Sequence, residues 1–145
     1  MVEFFSRFLC HSQGKWAGEP FILDPWYLEN FIMPLFGWVR ADGLRRYRQT
    51  YIELPKKQGK SAVASGVGLY GLVGDGEAGS HCYSFGADKD QARVVHAEAI
   101  SMVEWSPELD AVLDVNKTTG EIRYPATKSH YKCSSSSQRG KHGIK

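Results

Sequence analysis

Residues 50–66 read TYIELPKKQGKSAVASG, and the fold turns on how this stretch is understood. It reads as a strand, a tight turn and a helix. At the turn stands Gly59-Lys60-Ser61, the Gly-Lys-Ser/Thr end of a phosphate-binding loop. A helix starting there leaves its first N–H groups without intrahelical partners and aims them at one point. Those donors and the helix dipole favour an anion. In that reading Lys60 reaches the β- and γ-phosphates and the Ser61 hydroxyl takes a place on Mg²⁺. The full pattern GxxxxGKS/T needs a glycine five residues before Gly59, where Leu54 stands. A Gly-Lys-Ser surface turn on a basic loop is the competing reading of the tripeptide.

The chain has 145 residues, the size of one ordinary domain and enough to bury a core. Hydrophobic residues make up 42% and charged residues 23%, normal for a globular protein. A net charge of +2 gives no argument for nucleic acid, but its distribution is uneven. After the last acid, Glu121, come Arg123, Lys128, Lys132, Arg139, Lys141 and Lys145. That asymmetry fits a phosphate-facing surface, or a solvated strand and a frayed end. Cys10, Cys82 and Cys133 are far apart, with no zinc spacing, which fits free buried thiols in a reducing compartment. No apolar run spans a membrane, and Glu3 and Arg7 interrupt the N-terminal aromatics. A cytosolic protein without a membrane partner is expected.

Residues 2–10 carry a short helical apolar face, and residues 11–25 read as a loop. Asp24 and Pro25 suit the N-cap and first turn of a helix over residues 26–31, ended or kinked by Pro34. An apolar patch, Leu35, Phe36, Trp38 and Val39, precedes a turn at Asp42-Gly43. Arg45, Arg46 and Arg48 read as a solvated edge. After the strand at residues 50–54, a helix is expected over residues 60–72. Gly66, Gly68 and Gly71 would each weaken it by about 1 kcal/mol against Ala, and fit close helix-to-sheet packing. A helix that breaks early is the alternative.

Residues 74–79 read as a turn, residues 80–85 as a strand and residues 88–105 as a helix. Asp88 caps that helix, Ala92, Val95, Ala99, Met102 and Val103 form its apolar face, and Ser106-Pro107 ends it. The order strand, loop, helix, strand, helix is the pattern of a mainly parallel sheet covered by helices, an α/β fold. Residues 111–115 and 121–124 then read as a hairpin around Asn116 and Gly120, and residues 129–134 as a further strand.

Hydrolysis at such a loop needs a carboxylate on a neighbouring strand to hold Mg²⁺, and usually a second to position water. The sequence has no Asp-Glu pair. Asp114 is a weak candidate, against which stands a polar strand end before a hairpin. His11, His81, His96, His130 and His142 show no metal-ligand or catalytic spacing, and Ser84 and the serine run at residues 134–137 lack a nucleophile elbow. Trp16, Phe21, Trp26 and Tyr27 offer faces for a base, or simply core.

Four segments, in order, carry a resemblance: GKWAGEPFILDPW at residues 14–26, LFGW at 35–38, the opening stretch at 50–66, and SFGADKDQARVVHAEA at 84–99. Over residues 4–145 the chain resembles the ATPase domain of the large subunit of tailed-phage terminase, the DNA-packaging motor. The resemblance implies a three-layer fold of the P-loop NTPase type, here incomplete on its C-terminal side. It also implies ATP and Mg²⁺ as cofactors and a variant phosphate loop of the form Pro-Arg-Lys-Asn-Gly-Lys-Ser, in which Leu54 is expected. Carried over, Pro55, Lys56, Lys57, Gln58, Gly59, Lys60 and Ser61 hold phosphates, Ser61 holds Mg²⁺, and Lys60 and Lys56 are the catalytic cations. Lys56 stands where the family often has arginine, keeping the charge and losing the planar fork. Tyr27 stands where the family tends to have an adenine-reading glutamine after Pro-Trp. Trp26 carries over as a pocket residue.

The same resemblance implies an N-terminal adenine-side segment at residues 1–47 and a P-loop core at 48–145, cut before the acidic strand that should follow the Gly-rich residues 140–143. The nuclease domain would lie beyond. Double-stranded DNA, the portal protein, the terminase small subunit, a procapsid and a homo-oligomeric ring are the implied partners, in the cytoplasm of a host cell carrying a phage or prophage. A truncated gene, a split gene and a partial chain stay open. So do a helicase-like P-loop ATPase and a non-enzymatic remnant. A sheet lacking later strands would carry an open apolar edge prone to aggregation.

Overall fold

A computed structural model describes residues 1–86 and 89–135. The elements are α1 (Val2–Phe8), α2 (Pro25–Tyr27), α3 (Lys60–Leu69), β1 (His81–Gly86), α4 (Lys89–Trp105), α5 (Pro107–Asp110), β2 (Asp114–Val115), β3 (Ile122–Tyr124) and β4 (Ser129–Ser135). The result is a mixed α/β fold with a four-stranded sheet in the order β1-β4-β3-β2. β1 and β4 run parallel, from His81 opposite His130 to Gly86 opposite Ser135. The β4–β3 and β3–β2 pairings are antiparallel. A mainly parallel sheet was expected; among the described residues the parallel pairing is confined to β1 and β4. The rest follows from the expected hairpin. Asn116 Oδ1 accepts from the Thr118 and Thr119 amides, each at 3.0 Å, and Gly120 turns with φ of 75°.

The strand expected at residues 50–54 does not form. Its alternation is realised, since Ile52 and Leu54 are half-buried against the core while Tyr51 and Glu53 are exposed. A strand, however, is defined by ladder hydrogen bonds, and no β-bridge reaches this segment among the described residues. The order around the loop is thus extended segment, helix, strand, helix.

Two helices run further than expected, both by widening their turns. α2 starts at Pro25, with the Asp24 carboxylate accepting the Trp26 amide at 2.8 Å. It continues as π-helical turns over Leu28–Gly37, passing Pro34. Proline lacks the N–H of the α-helical ladder and crowds the carbonyl four residues back, and a wider turn relieves both. α3 likewise continues as π turns over Tyr70–Gly74. Asp88, Arg139, Lys141, His142, Lys145 and residues 140–143 lie outside the described residues.

Glycine sets how closely α3 packs. A Cβ on Gly66 would stand 2.5 Å from the Phe5 ring and 2.8 Å from Leu9. One on Gly68 would stand 2.7 Å from the Tyr131 ring of β4. α3 is thus pressed between α1 and the sheet, and the close-packing reading of these glycines holds. Phe5, Leu9, Leu69, Met102, Val103, Ile122 and Tyr131 lie in one buried cluster. α4 contributes Ala92, Ala99, Met102 and Val103, with Val95 half-buried. The Ser65 hydroxyl lies 2.7 Å from the carbonyls of both Ser61 and Val95, and its single proton serves one at a time. Arg45, expected as solvated, instead pairs with Asp75 and lies over Phe36. β1 ends the sheet among the described residues, and its Tyr83 and Phe85 are half-exposed. No helix among the described residues is long and apolar enough to cross a membrane. All three cysteines are free thiols.

Two buried ionisable groups make the fold acid-sensitive. His96 is buried, with Nε2 on the Gly120 carbonyl at 2.5 Å, and burial pushes its pKa down from 6.5. Glu121 accepts from Arg123 at 2.7 Å and Lys132 at 3.0 Å, and these contacts hold its pKa at about 2 instead of 4.5.

Gly66→Ala separates propensity from packing. Propensity alone would favour Ala by about 1 kcal/mol. The clash with Phe5 predicts a net loss of about 1–3 kcal/mol in denaturant unfolding. The pH dependence has two windows. Above pH 6.5 neutral His96 costs nothing. As pH falls below 6.5 the unfolded state takes the proton first, so stability drops until the folded His96 also titrates. Glu121 stabilises above pH 4.5, and that contribution is lost as pH falls towards 2. Unfolding free energies measured from pH 7.5 to 3 should fall in both ranges, and His96→Gln should shrink the first, leaving the share of His130, whose pKa burial also lowers.

Candidate phosphate-binding site

The loop between the extended segment and α3 has the backbone that anion binding requires. Gly59 sits in the left-handed region with φ of 74°, and Lys57 joins it there with φ of 66°. These values turn the chain so that α3 begins at Lys60. The Val63 amide bonds the Gly59 carbonyl at 3.0 Å, the first rung of the helix. The amides of Lys60, Ser61 and Ala62 precede that rung, and among the described residues no side chain caps them.

Lys60 is folded back over the loop. Its Nζ donates to the carbonyls of Leu54 at 2.5 Å and Pro55 at 2.6 Å. Leu54 thus contributes through its backbone, which needs no particular side chain. The loop is also propped from behind, because the Tyr27 hydroxyl donates to the Gln58 carbonyl at 2.7 Å. Tyr27 is buried, and burial, then the Asp24 charge, raises its pKa, so it stays a protonated donor. Trp26 stands edge-on to it and is half-exposed.

Two clefts flank the loop. One, of about 400 Å³, has Lys56, Lys57, Gln58, Gly59, Lys60, Ser61 and Ala62 on one side and His11, Ser12, Gln13 and Glu98 on the other. The second, of about 420 Å³, is lined by Asp24, Trp26, Tyr27, Leu54, Pro55 and Gln58. The structure therefore brings the sequence-named loop residues together and sets Trp26 and Tyr27 beside them across Gln58.

Asp114 is not part of this site. It lies on β2, opposite Arg123 and at the sheet edge away from β1. His81 and His130 do meet, ring centroids 4.1 Å apart, but no group of three or more His, Cys, Asp or Glu suited to a metal forms among the described residues. Unpaired amides, a lysine and the Ser61 hydroxyl fit a polyphosphate, with the hydroxyl as one ligand for an accompanying Mg²⁺. Sequence reasoning missed Glu98. Its Oε1 accepts from Ser12 Oγ at 2.5 Å and its Oε2 from Gln13 Nε2 at 3.0 Å. On α4 it flanks the apolar face and reads as a solvated position. Its partners are more than eighty residues away.

Comparison with known proteins identifies the family. The family described as "Terminase large subunit, ATPase domain" matches residues 27–145. The chain belongs to that family. It is also similar to the terminase large subunit of Enterobacteria phage HK97, with 24% identity over 145 residues, 99% of this chain and 28% of that protein. Among solved structures, the HK97 bacteriophage large terminase superposes with a TM-score of 0.80 at 23% identity, over 98% of this chain and 28% of that one. At that identity the superposition speaks for the fold. The terminase ATPase match begins at Tyr27 and contains the whole loop, α3 and the sheet. The chain spans little more than a quarter of the length of the HK97 protein.

Proposed function

We propose that this chain is the nucleotide-holding part of a DNA-packaging ATPase. The observation that carries the reading is the loop at residues 55–61, where a left-handed Gly59 opens onto the uncapped start of α3 beneath Lys60. The loop amides from Gln58 to Ser61 cradle phosphate oxygens. Lys60 leaves the Leu54 and Pro55 carbonyls for the β- and γ-phosphates, a stronger, charge-assisted contact. Ser61 takes one place on Mg²⁺. Lys56 and Lys57 add positive potential at the mouth. Pro55 and Trp26 line the cleft where the base rests, and Tyr27 holds the loop in shape from beneath it.

Residues 1–47 then serve the base side and residues 48–145 the phosphate side. In the intact motor, hydrolysis at this loop drives double-stranded DNA into a procapsid in the host cytoplasm. A ring of subunits works there with a portal protein and a small subunit. Bound Mg²⁺ supplies charge neutralisation at the phosphates, and this chain's residues bind and orient. The sequence contains no Asp-Glu pair, which supports nucleotide binding with little turnover by this chain alone.

Titration of labelled ATP with Mg²⁺ against wild type and Lys60→Ala tests the reading. Losing a charge-assisted phosphate contact should weaken binding at least about tenfold. Equal affinities would remove phosphate holding from this loop.

A further inference from the structure

The loop cleft is polarised. Lys56, Lys57 and Lys60 line it from the loop and the start of α3, and the Glu98 carboxylate lines it from α4. A polyphosphate is attracted to the lysines and repelled by the carboxylate. A neutral group rich in O–H donors suits Glu98 instead. A nucleotide has this same polarity, with a polyanion at one end and a sugar diol next to it. Resting on the nucleotide reading above, we propose that Glu98, held by Ser12 and Gln13, is a ribose-diol subsite, so that the cleft takes ribonucleotides in preference to 2′-deoxyribonucleotides.

The hydrogen bonds leave room for such a ligand. Each carboxylate oxygen offers about two lone pairs. Ser12 occupies one on Oε1 and Gln13 one on Oε2, which leaves an acceptor site on each oxygen. A vicinal diol presents two O–H donors to those two sites. Ser12 and Gln13 are neutral, so they orient the carboxylate without cancelling its charge. The backbone beneath Glu98 is also tied to α3. The Val95 carbonyl, nearly one turn earlier on α4, lies 2.7 Å from Ser65 Oγ on α3, and α3 begins with Lys60 and Ser61. Gln58 lines both this cleft and the one beside Trp26. A sugar joining a base in one to phosphates in the other passes Gln58 and enters the cleft that Glu98 also lines.

Equilibrium titrations of the full chain with Mg²⁺ and ATP, 2′-deoxy-ATP or inorganic tripolyphosphate test the subsite. Wild type should bind ATP about tenfold tighter than 2′-deoxy-ATP, the size of one hydrogen bond to a charged group. In Glu98→Ala that ratio should fall to about one while tripolyphosphate affinity holds. Glu98→Gln keeps the shape and one carbonyl acceptor, and should lose part of the ratio. An unchanged ratio in either variant overturns the proposal. So does a matching loss of tripolyphosphate in Glu98→Ala, which would make Glu98 a structural tether. Lys60→Ala separates the parent reading. If it leaves tripolyphosphate binding intact, the loop itself is misread. If it abolishes that binding while the Glu98 variants keep the ratio, the ribose subsite alone falls.

Discussion

The close approach of α3 to its two neighbours is the constraint on which the site depends. Phe5 of α1 and Tyr131 of β4 lie against the bare backbone at Gly66 and Gly68, where any side chain would collide. Those contacts fix the axis of α3, and with it the direction in which the amides of Lys60, Ser61 and Ala62 point. An anion site made of backbone donors is only as well defined as the helix that carries it. Here the helix is gripped about two turns below its first residue. α4 adds a second hold through the Ser65 and Val95 contact, which joins α3 to the helix bearing Glu98.

Above that grip the loop is held by its own hydrogen bonds. Lys60 spends its donors on two loop carbonyls, and Tyr27 spends its hydroxyl on Gln58. The first of these is exchangeable, because a phosphate oxygen competes well with a carbonyl for an ammonium group. The second is buried and needs no change on binding. One wall of the cleft can therefore respond to a polyanion while its support stays as it is.

Much of this was legible in the sequence, and the parts that were not share a cause. α3, β1, α4, the β2–β3 hairpin and β4 declare themselves locally, through apolar spacing, Asn116, Gly120 and the Ser106-Pro107 stop. The segment at residues 50–54 has the alternation of a strand, but pairing depends on a neighbour that alternation does not reveal. Pro34 marks a disturbance in its helix, and only the three-dimensional packing decides between a stop and a wider turn. The tight turn into α3 was readable from Gly59, Lys60 and Ser61. Leu54, which spoils the common glycine pattern, turns out to serve through its carbonyl, a role open to any residue. Glu98 was invisible because Ser12 and Gln13 reach it across most of the chain. The Tyr27 contact with Gln58 was hidden for the same reason.

The central claim is that an anion belongs at the start of α3. Backbone amide shifts recorded by NMR during addition of Mg²⁺ and ATP test it most directly. The largest changes should fall on Gly59, Lys60, Ser61 and Ala62, with a smaller response at Gln58. The cleft of mixed charge lined by Asp114, Glu121, Arg123, Lys128 and His130 should stay quiet. Changes centred on that second cleft, with the Gly59 to Ala62 amides unmoved, would contradict the account.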